Sequence, residues 1–112
     1  MKVAENIIES IAVIEVEGNI DSKTAPEFEK AAIAAIKGQG QVIIDLSKVE
    51  FLSSAGLRVL LMIYRQIKSQ SGKVVLVGVS EDIQDVMSNT GFINFFIIVN
   101  TLEEAVETLK KG

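Results

Sequence analysis

The sequence predicts a single α/β domain over residues 1–112, built on a mixed, mostly parallel sheet with flanking helices. Three observations predict this fold class. First, short apolar runs alternate with segments of helical periodicity. Second, the runs that begin at Val42 and at Val74 lack the alternation of polar residues that a half-exposed strand shows. Third, the first two apolar runs are only two residues apart. The close spacing indicates an antiparallel hairpin, and the remaining pattern indicates parallel strands with right-handed crossovers. The expected order is ββαβαβαβα.

The first half of the chain is predicted to form two strands and a helix. Val3–Ile8 and Ile11–Glu17 are the strands, and the second alternates apolar and acidic residues until Gly18 ends it. Thr24–Glu27 has the form of a capping box, with proline tolerated in the first turn, and therefore predicts a helix start. The apolar stripe of this helix consists of Phe28, Ala32, Ala35 and Ile36.

The second half repeats a strand–helix alternation three times. The three predicted strands are Val42–Leu46, Val74–Val79 and Phe95–Val99. The first of the three helices runs from the serines at 53 and 54 to about Gln70. The second is short, is capped by Ser80 and has Ile83, Val86 and Met87 facing inward, and the last is opened by a capping box at Thr101. The strands Val42–Leu46 and Val74–Val79 lack polar alternation, which is typical of strands covered on both faces.

Composition excludes several classes of function. The chain has no cysteine and no histidine, so neither a disulfide framework nor a Ser-His-Asp catalytic unit can form. The net charge of −4 argues against a nucleic-acid surface. No apolar run approaches the roughly 20 residues needed to span a bilayer. We therefore expect a cytoplasmic domain without membrane insertion, catalytic residues, metal or other cofactor.

The stretch Phe51–Leu61 carries the most informative local pattern. Ser53 is a suitable N-cap, and Ser54 then lies at the positive end of the helix, where a phosphate is favourably placed. Ala55 and Gly56 add little bulk, which suits a phosphoacceptor within an interface. On composition alone an ordinary helix start is favoured, with Ser53 as the cap and Ser54 as the first helical residue, where serine is tolerated. Close approach of a neighbouring strand is a second explanation for Gly56.

Three charged residues lie near the predicted loops. Asp21 and Arg58 each have two possible roles, and Asp45 has one local role. Asp21 is expected either to face the serines from the neighbouring loop or to form an Asx turn at its own helix. Arg58 could bind a phosphate or a partner carboxylate, or lie on a solvated helix face. Asp45 is expected to hydrogen-bond the next loop, and no set of spaced carboxylates indicates a metal site.

Taken together, several segments resemble the STAS domain of bacterial anti-sigma factor antagonists. The resemblance covers almost the whole chain, and it rests on the order and spacing of the matching segments. The matching segments are Gly18-Asn19-Ile20-Asp21 with Thr24-Ala25, the strand Val42–Leu46, the stretch "FLSSAGL", Thr90-Gly91-Phe92, Phe95, and Thr101–Ala105. The chain differs from the family pattern at Ser53, where Asp is usual, at Ala55, where Ser or Thr is usual, and at Asn19, where an acid is common.

The resemblance implies a phosphorylation-regulated interaction module. By it, Ser54 matches the serine that an anti-sigma factor with serine kinase activity phosphorylates, which abolishes binding until a serine phosphatase restores it. Residues expected to bind the partner or support the phosphosite are Asp21, Thr24, Ser53, Ala55, Gly56 and Arg58. Two alternatives stay open: a non-switching STAS scaffold or transporter-associated subunit, and a nucleotide-binding STAS domain.

Overall fold

The computed structural model describes residues 1–111, which form five strands and four α-helices in the predicted order. The strands are β1 (Lys2–Ile8), β2 (Ile11–Glu17), β3 (Gln41–Lys48), β4 (Lys73–Val77) and β5 (Ile97–Val99). The α-helices are α1 (Ala25–Ile36), α2 (Ser54–Lys68), α3 (Glu81–Asn89) and α4 (Leu102–Lys111). A 3₁₀ helix over Phe92–Phe95 precedes β5.

The sheet has the spatial order β1-β2-β3-β4-β5. β1 pairs antiparallel with β2, and every later neighbour pair is parallel. Glu9 and Ser10 connect β1 to β2, and both have positive φ (49° and 70°), as a two-residue hairpin turn of the type I′ kind requires. The mixed, mostly parallel sheet with an antiparallel start is therefore confirmed.

Helices cover the two faces of the sheet unequally. Each parallel crossover advances one strand in the same direction, so right-handed connections place α1, α2 and α3 on one face. Their apolar residues join one core cluster with Ile44, Leu46 and Leu76, whereas Ala105 and Leu109 of α4 pack in a second cluster with Ile43. Since Ile43 and Ile44 are both fully buried, β3 is covered on both faces, as its apolar run predicts.

Some predicted boundaries and orientations are wrong. β4 ends at Val77 instead of Val79, because Gly78 turns the chain with φ +66°. β5 begins at Ile97 because the preceding aromatic residues form the 3₁₀ helix. Val86 is 42% exposed although the sequence pattern predicts that it faces inward, since the buried stripe of the short α3 is filled by Ile83 and Met87. No helix within residues 1–111 is long and apolar enough to cross a membrane.

Candidate functional site

Two loops at the carboxyl edge of the parallel strands are joined by backbone hydrogen bonds. The N–H of Ile20, in the loop after β2, donates to the carbonyl oxygen of Phe51 at 2.9 Å. The N–H of Ser53 donates in return to the carbonyl oxygen of Ile20 at 2.8 Å, so that Ile20 and Leu52 form a short parallel bridge. Both bridge side chains are buried. The residues before α2 are therefore fixed against the loop before α1.

We call Phe51–Gly56 the serine turn. Ser53 has extended backbone (φ −78°, ψ 172°), and its hydroxyl oxygen accepts a hydrogen bond from the N–H of Gly56 at 3.2 Å. The predicted N-cap is therefore confirmed. Ser54 is the first residue of α2, and its side chain is exposed. Within residues 1–111, the N–H groups of Ser54 and Ala55 have no protein acceptor, as is usual for the first turn of a helix.

Gly56 is buried, and its lack of a side chain serves the internal packing. A Cβ atom at this position would lie 2.6 Å from Cδ1 of Leu52 and 2.7 Å from Cγ2 of Ile20. Real Cβ atoms do not approach other atoms so closely, so no larger residue fits without movement of the bridge. A close approach, which the sequence suggested as an explanation for Gly56, is therefore observed, although the approaching groups belong to the isolated Ile20–Leu52 bridge instead of a full strand. The interpretation that Gly56 keeps the approach to Ser54 open for a partner stays a prediction.

Asp21 and Thr24 stabilise the loop before α1. The Oδ1 atom of Asp21 accepts hydrogen bonds from the N–H groups of Lys23 and Thr24 at 2.9 and 3.0 Å. The bond from Thr24, and then that from Lys23, holds the pKa of Asp21 below its ordinary value of 3.8, because both stabilise the charged carboxylate. The Asx-turn interpretation of Asp21 is therefore confirmed, and this carboxylate is bonded within its own loop.

The predicted capping box at Thr24 does not form. Thr24 occupies the N-cap position, but its hydroxyl accepts no hydrogen bond from the helix. It accepts one from the N–H of Asp21 at 2.9 Å and lies 2.9 Å from the carbonyl oxygen of Asn19, to which it can donate. The reason is that the Asp21 carboxylate already bonds the Thr24 N–H, which leaves the threonine hydroxyl to tie the loop back to Asn19. Thr24 thus shapes the loop that carries Ile20.

Ala55 and Arg58 lie along a shallow cleft between the first turns of α1 and α2. The volume of the cleft is about 190 Å³, and its wall on the α1 side includes Pro26 and Glu29. Ala55 is half-buried there, whereas Arg58 is exposed one turn further along α2. Asp45 lies outside this region, and its carboxylate accepts a hydrogen bond from the N–H of Ser47 at 2.9 Å. Because β3 extends to Lys48, this bond lies within the strand and not in the next loop, where the sequence predicts it.

Comparison with known proteins identifies the domain. Residues 2–105 match the STAS domain family. The chain belongs to this family. BtrV of Bordetella bronchiseptica, named as a candidate anti-sigma factor antagonist, is 30% identical over 111 residues, which is 98% of this chain and 96% of BtrV.

Two further relatives agree with this assignment. The anti-sigma-B factor antagonist of Listeria monocytogenes is 31% identical over 86 residues, covering 76% of this chain and 75% of that protein. The crystal structure of an anti-sigma factor antagonist from Mycobacterium paratuberculosis is 29% identical and matches with a TM-score of 0.88, covering 97% of this chain and 93% of that one. The STAS resemblance seen in the sequence is therefore confirmed.

Phe51 is a feature of this STAS domain that sequence reasoning did not single out. Its side chain is 52% exposed, although its carbonyl oxygen is held in the bridge with Ile20. In the structure Val49 and Leu52 take the two buried positions of this segment and leave Phe51 facing outward. The sequence alone shows only three apolar residues in this segment and does not indicate which of them is exposed. A large apolar side chain three residues before Ser54 is a suitable contact for a protein partner.

This edge of the STAS domain offers exposed polar groups together with an exposed aromatic side chain, Phe51. The site offers the exposed hydroxyls of Ser54 and Ser22, the N-terminus of α2 and the exposed guanidinium of Arg58. The sequence contains no histidine or cysteine to activate a nucleophile. Among residues 1–111, no group of three or more Asp, Glu, His or Cys side chains is arranged to hold a metal ion. The hydroxyl of Ser54 is exposed at the start of α2, so its surroundings leave it accessible from solvent.

Proposed function

We propose that this STAS domain is an anti-sigma factor antagonist controlled by phosphorylation at Ser54. The unphosphorylated domain binds an anti-sigma factor that is also a serine kinase, phosphorylation of Ser54 releases it, and a serine phosphatase restores binding. The observation that carries the proposal is the exposed hydroxyl of Ser54 on a fixed turn, in a chain related to anti-sigma factor antagonists over nearly its full length.

The two serines of the turn differ in what their hydroxyl oxygens do. Ser53 is half-buried and its oxygen accepts the cap hydrogen bond from Gly56, so modification there costs the helix its cap. Ser54 is exposed and makes no side-chain hydrogen bond within residues 1–111. A kinase can therefore reach Ser54 without disturbing α2, which makes it the better acceptor.

A phosphate at Ser54 opposes association through its charge. It adds about −1.5 to −2 charges at neutral pH, and burying that charge in an interface without a matching cation is strongly unfavourable. The same charge is favourable in the free domain, because it lies against the N-terminus of α2. The phosphate therefore stabilises the free state relative to the complex.

The test begins with affinity capture of the partner by the wild-type domain, followed by mass spectrometry to identify it. The captured kinase and ATP are then incubated with wild-type, Ser54→Ala and Ser53→Ala domains. We expect phosphate on Ser54 in the wild type and in Ser53→Ala, none in Ser54→Ala, and a loss of binding on phosphorylation. Phosphate elsewhere, or phosphorylated domain that binds as tightly as before, would contradict the proposal.

A second candidate function is a STAS scaffold without a switch. The observation that favours it is the departure from the family pattern on either side of Ser54, with Ser53 and Ala55 in place of the usual acid and hydroxyl. Ser53 still caps α2, so the departure leaves the fold of the turn intact while removing a charge. Capture of a transporter subunit instead of a kinase, with no phosphorylation of Ser54, would support this candidate.

A further inference from the structure

We propose that the outer face of α2 docks an acidic, amphipathic helix of the partner protein. This surface, called here the α2 groove, is formed by Arg58, Leu61, Met62, Arg65 and Gln66. The proposal deepens the proposed function by naming the chemistry of the partner, and it depends on that function only for the partner's biological role. The groove can be tested with a synthetic helix that involves no kinase and no phosphate.

Charge is segregated among the helices, and α2 carries the positive part. The only two arginines in the chain, Arg58 and Arg65, lie on α2, which also contains Lys68 and no acidic residue, so its side chains sum to +3. By contrast, α3 contains Glu81, Asp82 and Asp85 and no cation, which sums to −3. A helix of this charge in a chain of net charge −4 creates a local positive face that attracts carboxylates.

The cations of this face have no carboxylate partner within residues 1–111. The one side-chain ion pair in that range joins Lys110 to Glu9, on the opposite side of the sheet from α2. Lys68 lies 5.9 Å from the ring centroid of Tyr64, and Glu29 lines the cleft next to Arg58 without an ion pair within 4 Å. Both arginine guanidinium groups therefore keep their planar donors available for bidentate bonds to carboxylates.

The spacing of the side chains along the α2 groove suits a helix. The groove is a shallow depression on the surface of α2, and all of its lining residues belong to that helix. Arg58 and Arg65 are seven residues apart, which places them about 10.5 Å apart along the same side of the helix. Leu61 and Met62 lie between them and are half-buried, so each still exposes apolar surface. An amphipathic helix with apolar residues at i, i+3 and i+4, flanked by Asp or Glu two turns apart, matches this pattern of charge and apolar surface.

Other ligands fit this surface less well. A nucleic acid or an anionic membrane requires an extended field of positive charge, whereas three cations on one helix are surrounded by a domain of net charge −4. Arginine and methionine are enriched in protein interfaces, and here both line one groove. The composition of the groove therefore favours a protein partner.

The α2 groove begins one turn from Ser54. Residues 54 and 58 are spaced i, i+4 on α2, so their side chains are neighbours on the helix surface. A phosphate on Ser54 can therefore pair with Arg58 within the same helix, which removes one of the two arginines from an acidic partner and adds a repelling charge beside it. Phosphorylation of Ser54 therefore weakens binding of an acidic partner to the α2 groove by engaging Arg58.

The experiment is a titration of the ¹⁵N-labelled full chain with a capped helical peptide, followed by NMR. The peptide carries leucines at i, i+3, i+4 and i+7 flanked by glutamates, and a second peptide replaces each glutamate by lysine. We expect shifts of the α2 amides from 58 to 66 with the acidic peptide only. The Kd should rise about tenfold in Arg65→Gln and about a hundredfold in the Arg58→Gln/Arg65→Gln pair.

Matched variants separate a specific site from general attraction between opposite charges. Lys30→Gln and Lys37→Gln remove exposed cations from the neighbouring α1 segment, and we expect their Kd to stay within about twofold of wild type. Ser54→Ala should bind the peptide as the wild type does, so failure of the switch and failure of the groove give different results. The unchanged amide spectrum of each variant outside the substituted region confirms its fold.

Four results would overturn the proposal. The first is no shift in α2 at millimolar acidic peptide, and the second is equal binding of the two peptides. The third is α2 shifts that grow with protein concentration alone, which assigns the groove to a second copy of the chain. The fourth is loss of the α2 signals on addition of phosphatidylserine vesicles with no response to the peptide, which assigns it to a membrane surface.

Discussion

Substitution of Gly56 by alanine tests whether the serine turn is fixed by packing beneath it. The new methyl group would lie 2.6 Å from Cδ1 of Leu52, 2.7 Å from Cγ2 of Ile20 and 3.2 Å from Cβ of Ile20. The leucine methyl can rotate, but Cβ of Ile20 is placed by a backbone that hydrogen-bonds to Phe51 and Ser53. Cγ2 of Ile20 can move away only by a rotation about χ1 within a fully buried side chain, which disturbs the packing around it.

Two opposing terms determine the size of the effect. Overpacking of a buried site costs about 1–3 kcal/mol, and alanine is favoured over glycine within a helix by about 1 kcal/mol. The difference between these terms is about 0–2 kcal/mol, and two contacts shorter than 3.0 Å place the variant in the upper part of that range. We expect Gly56→Ala to lower the free energy of unfolding by about 1–2 kcal/mol, which is a fall in Tm of about 4–8 °C for a domain of this size. Urea denaturation followed by circular dichroism measures it.

A control and a second background make this prediction refutable. A methyl group added at Gly40 would meet open space, with no atom within 4 Å, so Gly40→Ala should change the stability by less than about 0.5 kcal/mol. In an Ile20→Ala background, Gly56→Ala should cost at least about 1 kcal/mol less than in the wild type, because the cavity accepts the methyl group. Equal cost in both backgrounds, or a stabilised single variant, would show that contact with Ile20 is not what requires glycine.

Three further outcomes follow from local geometry. The hydrogen bond from the Thr24 N–H lowers the pKa of Asp21, so this carboxylate stabilises the fold above pH 4 and loses that contribution as pH falls through its folded-state pKa. Asp21→Asn should flatten this part of a curve of stability against pH. An unchanged curve would contradict the role of Asp21 as a charged hydrogen-bond acceptor in its loop. Ser10→Gly should stabilise the hairpin by about 1 kcal/mol, since Ser10 has φ +70°; calorimetry showing no gain would contradict it. Ser80→Ala should cost about 1 kcal/mol through loss of the α3 cap while leaving phosphorylation at Ser54 unchanged, which urea denaturation and a kinase assay would check.

Local patterns in the sequence were sufficient for the features that depend on neighbouring residues. The caps at Ser53 and Ser80 and the hairpin at Glu9 and Ser10 are set by positions at most three residues apart, and all are confirmed. The strand covered on both faces was equally visible, because an apolar run such as residues 42–46 leaves no polar face.

Features that depend on distant residues were missed or misassigned. The bridge between Ile20 and Leu52 joins segments 32 residues apart, so no local pattern indicates it. Without that bridge, the small size of Gly56 suggested access from outside, whereas the contact that requires it lies inside. At Thr24 the local motif was present, but the competing carboxylate of Asp21 took the hydrogen bond that the motif predicts.

The bridge also limits how a phosphate at Ser54 could act. Residues 51 and 53 are tied to Ile20 by two backbone hydrogen bonds, and the carbonyl oxygen of Ser53 accepts from Leu57 at 2.9 Å, so the turn is fixed on both sides of the hydroxyl. A negative charge at the first helical position is itself favourable by about 0.3–1 kcal/mol. Phosphorylation therefore gives no reason for α2 to unfold, and its effect must be exerted on what approaches the surface. A switch of this kind works by charge at a rigid interface, which is why an acidic partner segment and a phosphate would compete for the same arginine.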